Sequence, residues 1–218
     1  MRDFILFGIQ GSGKGTQSRL LAEKFDMEIF ETGAELRSLA QSSSSLGQKV
    51  KEIIDSGSLV SDEVVMDIIA NFLRRVPAGK HVIFDGIPRR VSQQLLFDNL
   101  MKELERDPLV IEIELGPAQA LNRLTTRKVC EVCKTSYPVF YEGDSCSEKE
   151  CRGKLIKRAD DNTASIKTRL ELYEKETLPV IENYKNDGTV LSVNGDQGIA
   201  EVNMEILKGL NKLLGKSP

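Results

Sequence analysis

Nine residues near the start, Gly8-Ile-Gln-Gly-Ser-Gly-Lys-Gly-Thr16, restrict this chain more than any other feature. They follow Phe4-Ile-Leu-Phe7, a short apolar run with the look of a buried parallel strand, and they lead into a helical pattern over residues 14–25. Glycines at such a junction let backbone N–H groups turn inward around phosphates. The helix N-terminus adds positive potential there, and Lys14 can reach the β and γ phosphates. The alternative is a glycine-rich turn that binds nothing, which would leave a lysine beside apolar residues with no anion, at a cost. The hydroxyl stands one place later than in the simplest form of the motif, at Thr16 after Gly15. That departure narrows the kinds of chain this one can resemble.

Similar apolar runs recur at His81–Phe84, Leu109–Ile113 and Val190–Val193. Helical patterns occupy 62–75, 93–105, 117–127, 163–186 and 198–213, several with apolar residues three and four apart. Strands alternating with helices predict a parallel α/β sheet. With 218 residues, 40% of them hydrophobic, there is material for one core with inserts. Two stretches break the alternation. Residues 31–60 read as short helices at 34–41 and 47–55 separated by the serine run 42–45, either a solvated turn or a recognition loop. Residues 128–160 are rich in cysteine, charge and turn formers, as in a small metal-held hairpin module.

The formal net charge of −3 provides no general attraction to nucleic acid or acidic lipid, so neither is expected as a partner and any anion must be captured locally. The first apolar run is too short for a signal segment, and no stretch is long enough to span a membrane. The expected compartment is the cytoplasm, where four cysteines read as metal ligands or free thiols sooner than as disulfides.

A second motif, Val82-Ile-Phe-Asp-Gly-Ile-Pro-Arg89, puts Asp85 at the end of an apolar strand. A carboxylate there can hold Mg²⁺ through water, or it can simply cap a turn. Arg89 could face a second phosphate. Further along, Thr32-Gly33 with Leu36-Arg37, Leu59-Val-Ser-Asp-Glu63, Gln93 and Arg158-Ala-Asp-Asp161 stand in a telling order beside these two motifs. Together they resemble the long-lid, zinc-binding bacterial type of adenylate kinase, within the nucleoside monophosphate kinases, over essentially the whole chain.

The resemblance implies a P-loop core with a five-stranded parallel sheet flanked by helices, formed by residues 1–30, 61–127 and 161–218. It adds a helical monophosphate-binding insert at 31–60 and a zinc-ribbon-like lid at 128–160, both closing over substrates. It implies that Gly11, Ser12, Gly13, Lys14, Gly15 and Thr16 hold ATP, with Arg123, Arg127, Tyr137 and Gln197 as further ATP contacts. Thr32, Gly33, Arg37, Ser58, Leu59, Val60, Gly86, Arg89 and Gln93 would hold AMP. Arg158 and Arg169 would clamp the transferring group, making Lys14, Asp85, Arg89, Arg123, Arg127, Arg158 and Arg169 the catalytic set. The chemistry agrees: a loose, in-line transition state is stabilised by positioned cations and Mg²⁺ more than by a general base. Each arginine taken singly also has a bland fate on a solvated or ion-paired helix face. Asp160 and Asp161 read either as orienting partners for lid arginines or as helix N-terminal charges.

Three positions depart from the family pattern. Gln10 stands where proline is usual, Ala34 replaces an aspartate, and Arg90 takes a place often held by Thr or Ser. Ala34 bears on monophosphate selectivity.

Cys130-x2-Cys133 and Cys146-x4-Cys151 form two pairs twelve residues apart, suited to a tetrahedral Zn²⁺ site. The resemblance agrees, yet the second gap is wider than usual and could leave Cys151 outside the shell. A closed four-thiolate site has no open position, so its expected role is structural. His81, without a partner motif, reads as structural.

The expected activity is ATP + AMP = 2 ADP with Mg²⁺, in a monomer. Its rivals are a related kinase with another base preference, such as a GTP:AMP phosphotransferase, and a nucleotide-sensing protein without turnover. The intact arginine set argues against the sensor, since a pure binder has little need of transition-state cations.

Overall fold

The computed structural model describes residues 2–137, 141–148, 150–158, 161–188 and 190–215. Five strands form the central sheet: β1 (Phe4–Phe7), β2 (Glu28–Glu31), β3 (Val82–Asp85), β4 (Leu109–Glu114) and a late strand, Val190–Asn194. Their order is β2-β3-β1-β4 followed by the late strand, and every neighbouring pair is parallel. β1 is central and all four of its residues are buried.

Alternation along β1 sorts the helices into two layers. Phe4 and Leu6 join Leu21 of α1 (Lys14–Phe25) and Ile206 and Leu210 of the C-terminal helix Ile199–Leu213. Ile5 and Phe7 join the opposite layer, containing Ile69, Phe97 and Val180. Those residues come from α4 (Asp62–Leu73), α5 (Val91–Glu103) and the helix Leu178–Asn186. Phe84 meets Phe97 edge-on at 5.0 Å, and burying one such ring contributes about 1.5–3 kcal/mol. At the N-terminal edge, the buried Asp3 carboxylate accepts from Arg106 at 2.8 Å and from the Val82 amide. His81 lies 3.4 Å from the same carboxylate, in keeping with a structural role.

Between β2 and α4 lie α2 (Thr32–Ala40) and α3 (Ser45–Ser56), packed on each other. The serine run is exposed, and it also starts a helix: Ser44 Oγ accepts from the Gly47 amide at 3.0 Å. After α6 (Pro117–Thr126) comes a second, antiparallel sheet of β5 (Lys128–Cys130), β6 (Ser136–Tyr137) and β7 (Leu155–Ile156), with β5 in the middle. The late strand of the central sheet is therefore β8, and the C-terminal helix is α9.

Two expectations need correction. The apolar runs mark four central strands and miss β2, whose sequence Glu-Ile-Phe-Glu buries only Phe30 fully, as befits the sheet edge. The single helix read over 163–186 is α7 (Thr163–Leu172), a π-helical turn at Tyr173–Thr177, and then α8 (Leu178–Asn186). Pro179 stands in the first turn of α8 and has no N–H to donate, which opens the ladder where the π-turn lies. Among the described residues, no helix is long and apolar enough to cross a membrane.

Candidate active site

The loop from Gly8 to Gly13 joins β1 to α1 at the C-terminal edge of the parallel sheet, where ligands of open α/β folds bind. Gly13 is the residue before α1 and has φ +101°, a conformation that side chains resist. Lys14 Nζ curls onto the loop, donating to Gly8 O at 2.6 Å and Ile9 O at 3.2 Å. Burial lowers its pKa to about 8, with Asp85 pulling the other way and Arg89 and Arg127 repelling it. Ser12 Oγ is buried and, among the described residues, has no hydrogen-bond partner. An anion seated in this loop would give both groups a partner.

Asp85 ends β3 and is almost wholly buried. Burial raises its pKa to about 6 against the attraction of Lys14. A Cβ built on Gly15 would stand 3.5 Å from its Oδ2, so the carboxylate faces the first turn of α1 at Gly15. Ser18 Oγ lies 3.5 Å from the same oxygen. A carboxylate beside a serine hydroxyl at a phosphate loop fits a hydrated Mg²⁺.

The loop opens onto a cleft of about 1760 Å³. Gly11, Gly13, Gly15, Thr16, Thr32, Gly33, Arg37, Ser58, Leu59, Val60 and Gln93 all line it, as do Tyr137, Gln197 and the arginines 89, 123, 127, 158 and 169. Ser12 and Gly86 are the two expected contacts behind this lining. Gly86 has φ +81°, and a Cβ there would come within 2.8 Å of the Arg89 guanidinium, whose Nε donates to Gly86 O at 2.7 Å. The glycine thus lets Arg89 fold across the strand end.

Arg89 is held on all sides: its amide donates to Gln93 Oε1 at 2.7 Å and its carbonyl accepts from Thr177 Oγ1 at 3.1 Å. Burial lowers its pKa, opposed by Asp85 and reinforced by repulsion from Arg169, Arg37 and Arg158. Arg127 is shifted the same way, first by burial, with Asp161 opposing and Arg158 and Arg169 adding to the shift. Such mutual repulsion is the signature of cations gathered for an anion they share.

Asp161 is the counterweight. Its carboxylate accepts from Arg127 at 2.6 and 2.9 Å and from Arg169 at 2.9 Å. It is buried and orients arginines as one reading expected, though the two it holds flank residues 128–160 and do not lie within them; Asp160 lies outside the described residues. Arg123 pairs more loosely with Asp196 at 3.6 Å, and Arg37 pairs with Glu31 at 3.0 Å. Gln197 donates to Asn194 O at 2.8 Å and to Glu205. Thr32 Oγ1 donates to Asp85 O at 3.2 Å, tying α2 to the end of β3.

Residues that sequence reasoning left without a role also shape the site: Ser18, Glu31, Thr177 and Asp196. Their partners lie between six and 88 positions away, and no local pattern marks them.

The four cysteine Sγ atoms lie within 4.8 Å of one another. Cys130 and Cys151 are 3.6 Å apart, and Cys133 and Cys146 are 3.4 Å apart, with no disulfide. Four thiolates about 2.3 Å from a tetrahedral ion would be about 3.8 Å from one another, so the cluster could hold a metal. The wider second gap does not exclude Cys151. Tyr137, expected to touch ATP, places its hydroxyl on Cys146 Sγ at 3.1 Å and Ser147 Oγ at 3.3 Å, while still lining the cleft.

A parallel sheet with a phosphate loop at its C-terminal edge, a carboxylate at the neighbouring strand end and a cation-lined cleft define a P-loop phosphotransferase. The family model described as adenylate kinase matches residues 6–189. An adenylate kinase of Desulfitobacterium hafniense is 35% identical over 209 residues, covering 94% of this chain and 96% of that one. One of Methanocella arvoryzae is 32% identical over 213 residues, with 96% and 99% covered, and one of Caldicellulosiruptor saccharolyticus is 35% identical over 212, with 94% and 97% covered. The chain belongs to the adenylate kinase family.

Proposed function

We propose that this chain transfers the γ-phosphoryl group of Mg·ATP reversibly to AMP, giving two ADP by direct in-line displacement, and so serves adenine nucleotide homeostasis. The observation that carries this reading is the convergence of Lys14, Arg89, Arg127, Arg158 and Arg169 on one cleft. Donor phosphates occupy the Gly11–Thr16 loop, and Arg123, Arg127, Tyr137 and Gln197 complete the ATP side. The monophosphate lies against Thr32, Gly33, Arg37, Gly86, Arg89 and Gln93, with its base at Ser58, Leu59 and Val60. Residues 31–60 are then the monophosphate insert and 128–160 the lid over a core of 1–30, 61–127 and 161–218.

The residues' work is electrostatic positioning. Lys14 leaves the loop carbonyls for the β and γ phosphates, and Asp161 keeps Arg127 and Arg169 aimed at the transferring group. Charge that builds on the equatorial oxygens meets guanidinium groups already in place. Closure of both inserts excludes water, which would otherwise accept the phosphoryl group. Asp85 and Thr16 would hold Mg²⁺, which would supply charge neutralisation for the phosphates. The cysteine cluster holds Zn²⁺ to stiffen the lid and takes no part in transfer. The protein works as a cytoplasmic monomer.

Mg²⁺-dependent ADP formation from ATP, measured with AMP, CMP, UMP, GMP or no acceptor, tests the reading. AMP-selective turnover is expected, falling about 10²–10³-fold or more in Lys14→Ala. Turnover with another monophosphate would replace the substrate, and ATP binding without turnover would replace the function. Denaturation with a chelating dye should release about one equivalent of zinc per chain, and finding none overturns the metal assignment.

A further inference from the structure

Arg90 lies just outside the cleft, yet its guanidinium is spread over three acceptors. Nη1 donates to Val60 O at 3.1 Å and to Asp62 Oδ1 at 3.0 Å, and Nη2 donates to Leu59 O at 3.3 Å. Asp62 is shared in turn: Ser92 Oγ donates to its Oδ2 at 2.6 Å, and Gln93 Nε2 to its Oδ1 at 3.2 Å. Gln93 then accepts from the Arg89 amide with its Oε1. One connected network therefore runs from the backbone of 59–60, through Arg90 and Asp62, to Gln93 and Arg89.

Residues 58–61 bridge α3 and α4 without regular structure, and the left-handed Gly57 that precedes them ends α3. A strap of this kind has no ladder of its own to fix its register. A planar guanidinium that binds two successive carbonyls supplies that register, and the single ammonium of a lysine cannot bind both in the same fork. Each carbonyl keeps a second lone pair for a ligand. The side chains of Arg90 and Asp62 are 27% and 14% exposed, which shelters the pair from most solvent screening.

We infer that Arg90, clamped by Asp62, is a positioning residue that sets the Leu59 and Val60 carbonyls in register with Gln93, and so determines selectivity for the base of the monophosphate. This rests on the proposed assignment of 58–60 and Gln93 to the acceptor nucleotide. Arg90 touches no substrate itself; it acts through the carbonyls it holds.

The test is steady-state kinetics on the full chain with Arg90→Ala, Arg90→Lys and Gln93→Ala, alongside thermal melting. In Arg90→Ala the KM for AMP should rise about tenfold, while kcat and the KM for ATP stay within about twofold. The preference for AMP over CMP in kcat/KM should fall by a similar factor. Arg90→Lys, which keeps the charge and loses the fork, should fall between wild type and Arg90→Ala and keeps the test open if the alanine variant folds poorly. Parallel rises in both KM values, or a lowered Tm with the KM for AMP unmoved, overturn the inference. A raised KM for AMP in Gln93→Ala with none in Arg90→Ala overturns the positioning role alone. No effect in any of the three overturns the acceptor-site assignment beneath it as well.

Discussion

In the central sheet, Phe4, Ile5, Leu6, Ile83 and Phe84 are fully buried between two helical layers. Around the small sheet of β5, β6 and β7 the buried cluster is Cys130, Tyr137, Cys146 and Leu155, two of them thiols. The first sheet is held by apolar area, whose contribution grows with every ring and branched chain removed from water. The second, with strands of two or three residues, buries too little for that, and a metal-binding cluster is the staple such small modules use. One chain thus builds a rigid frame by burial and an appended piece around four cysteines that could hold a metal. The cleft lies where the two meet.

The hardest way to break that contrast is to empty part of the frame. Phe84→Ala removes a ring packed against Phe97 and near Phe30, and should destabilise the protein by about 3–5 kcal/mol in urea unfolding. A loss below about 1 kcal/mol would mean that burial does not dominate the central sheet.

A smaller effect sharpens the picture at the frame's edge, where Asp85 and Lys14 are charged groups set against apolar strands. Asp85 has a folded pKa of about 6 against 3.8 in the unfolded chain, so the folded state holds that proton more tightly. Its contribution to stability therefore falls as pH rises from about 4 to 6. Lys14 is shifted down from 10.5 to about 8, so its contribution falls as pH drops from about 10 to 8. Both costs are present between pH 6 and 8, where a bound nucleotide would offset them. The ligand-free Asp85→Asn variant should be more stable than wild type at pH 7, by at most about 3 kcal/mol, and the difference should shrink towards pH 4. A difference that is flat with pH would show that burial is not what shifts this carboxyl.

The smallest expected effect on the frame comes from the staple. Cys146→Ser, or chelation, should abolish amide-exchange protection at Cys130 and Cys146 while moving the free energy of central-sheet opening by less than about 1 kcal/mol. Parallel loss of protection in β1 and β4 would make the two sheets one cooperative unit and end the comparison.

The same division explains what could be read from the sequence. Long apolar runs such as Leu109–Ile113 announce themselves because a strand covered on both faces has no reason to alternate. β2 escapes that rule at the sheet edge, where Glu28 and Glu31 flank the buried Phe30. The phosphate loop was legible because its spacing is local, and the cysteines because two close pairs point to one ion. Asp161 stood in a motif, but that one carboxylate holds arginines eight positions after it and 34 before it is a fact of folding. Arg90 was visible only as a departure from the pattern; its three acceptors, 28 to 31 positions upstream, follow from how the strap closes on α5.

The sharing of Asp161 bears on how the chain could be altered. Arg127 directly precedes residues 128–160 and Asp161 directly follows them, and the two are joined by a bidentate ion pair. The two ends of the segment are therefore fastened to each other where it leaves and re-enters the rest of the protein, like a bead hung from its clasp. A shorter or longer segment of unrelated sequence could be exchanged at this point, in evolution or by design, without asking the central sheet to change.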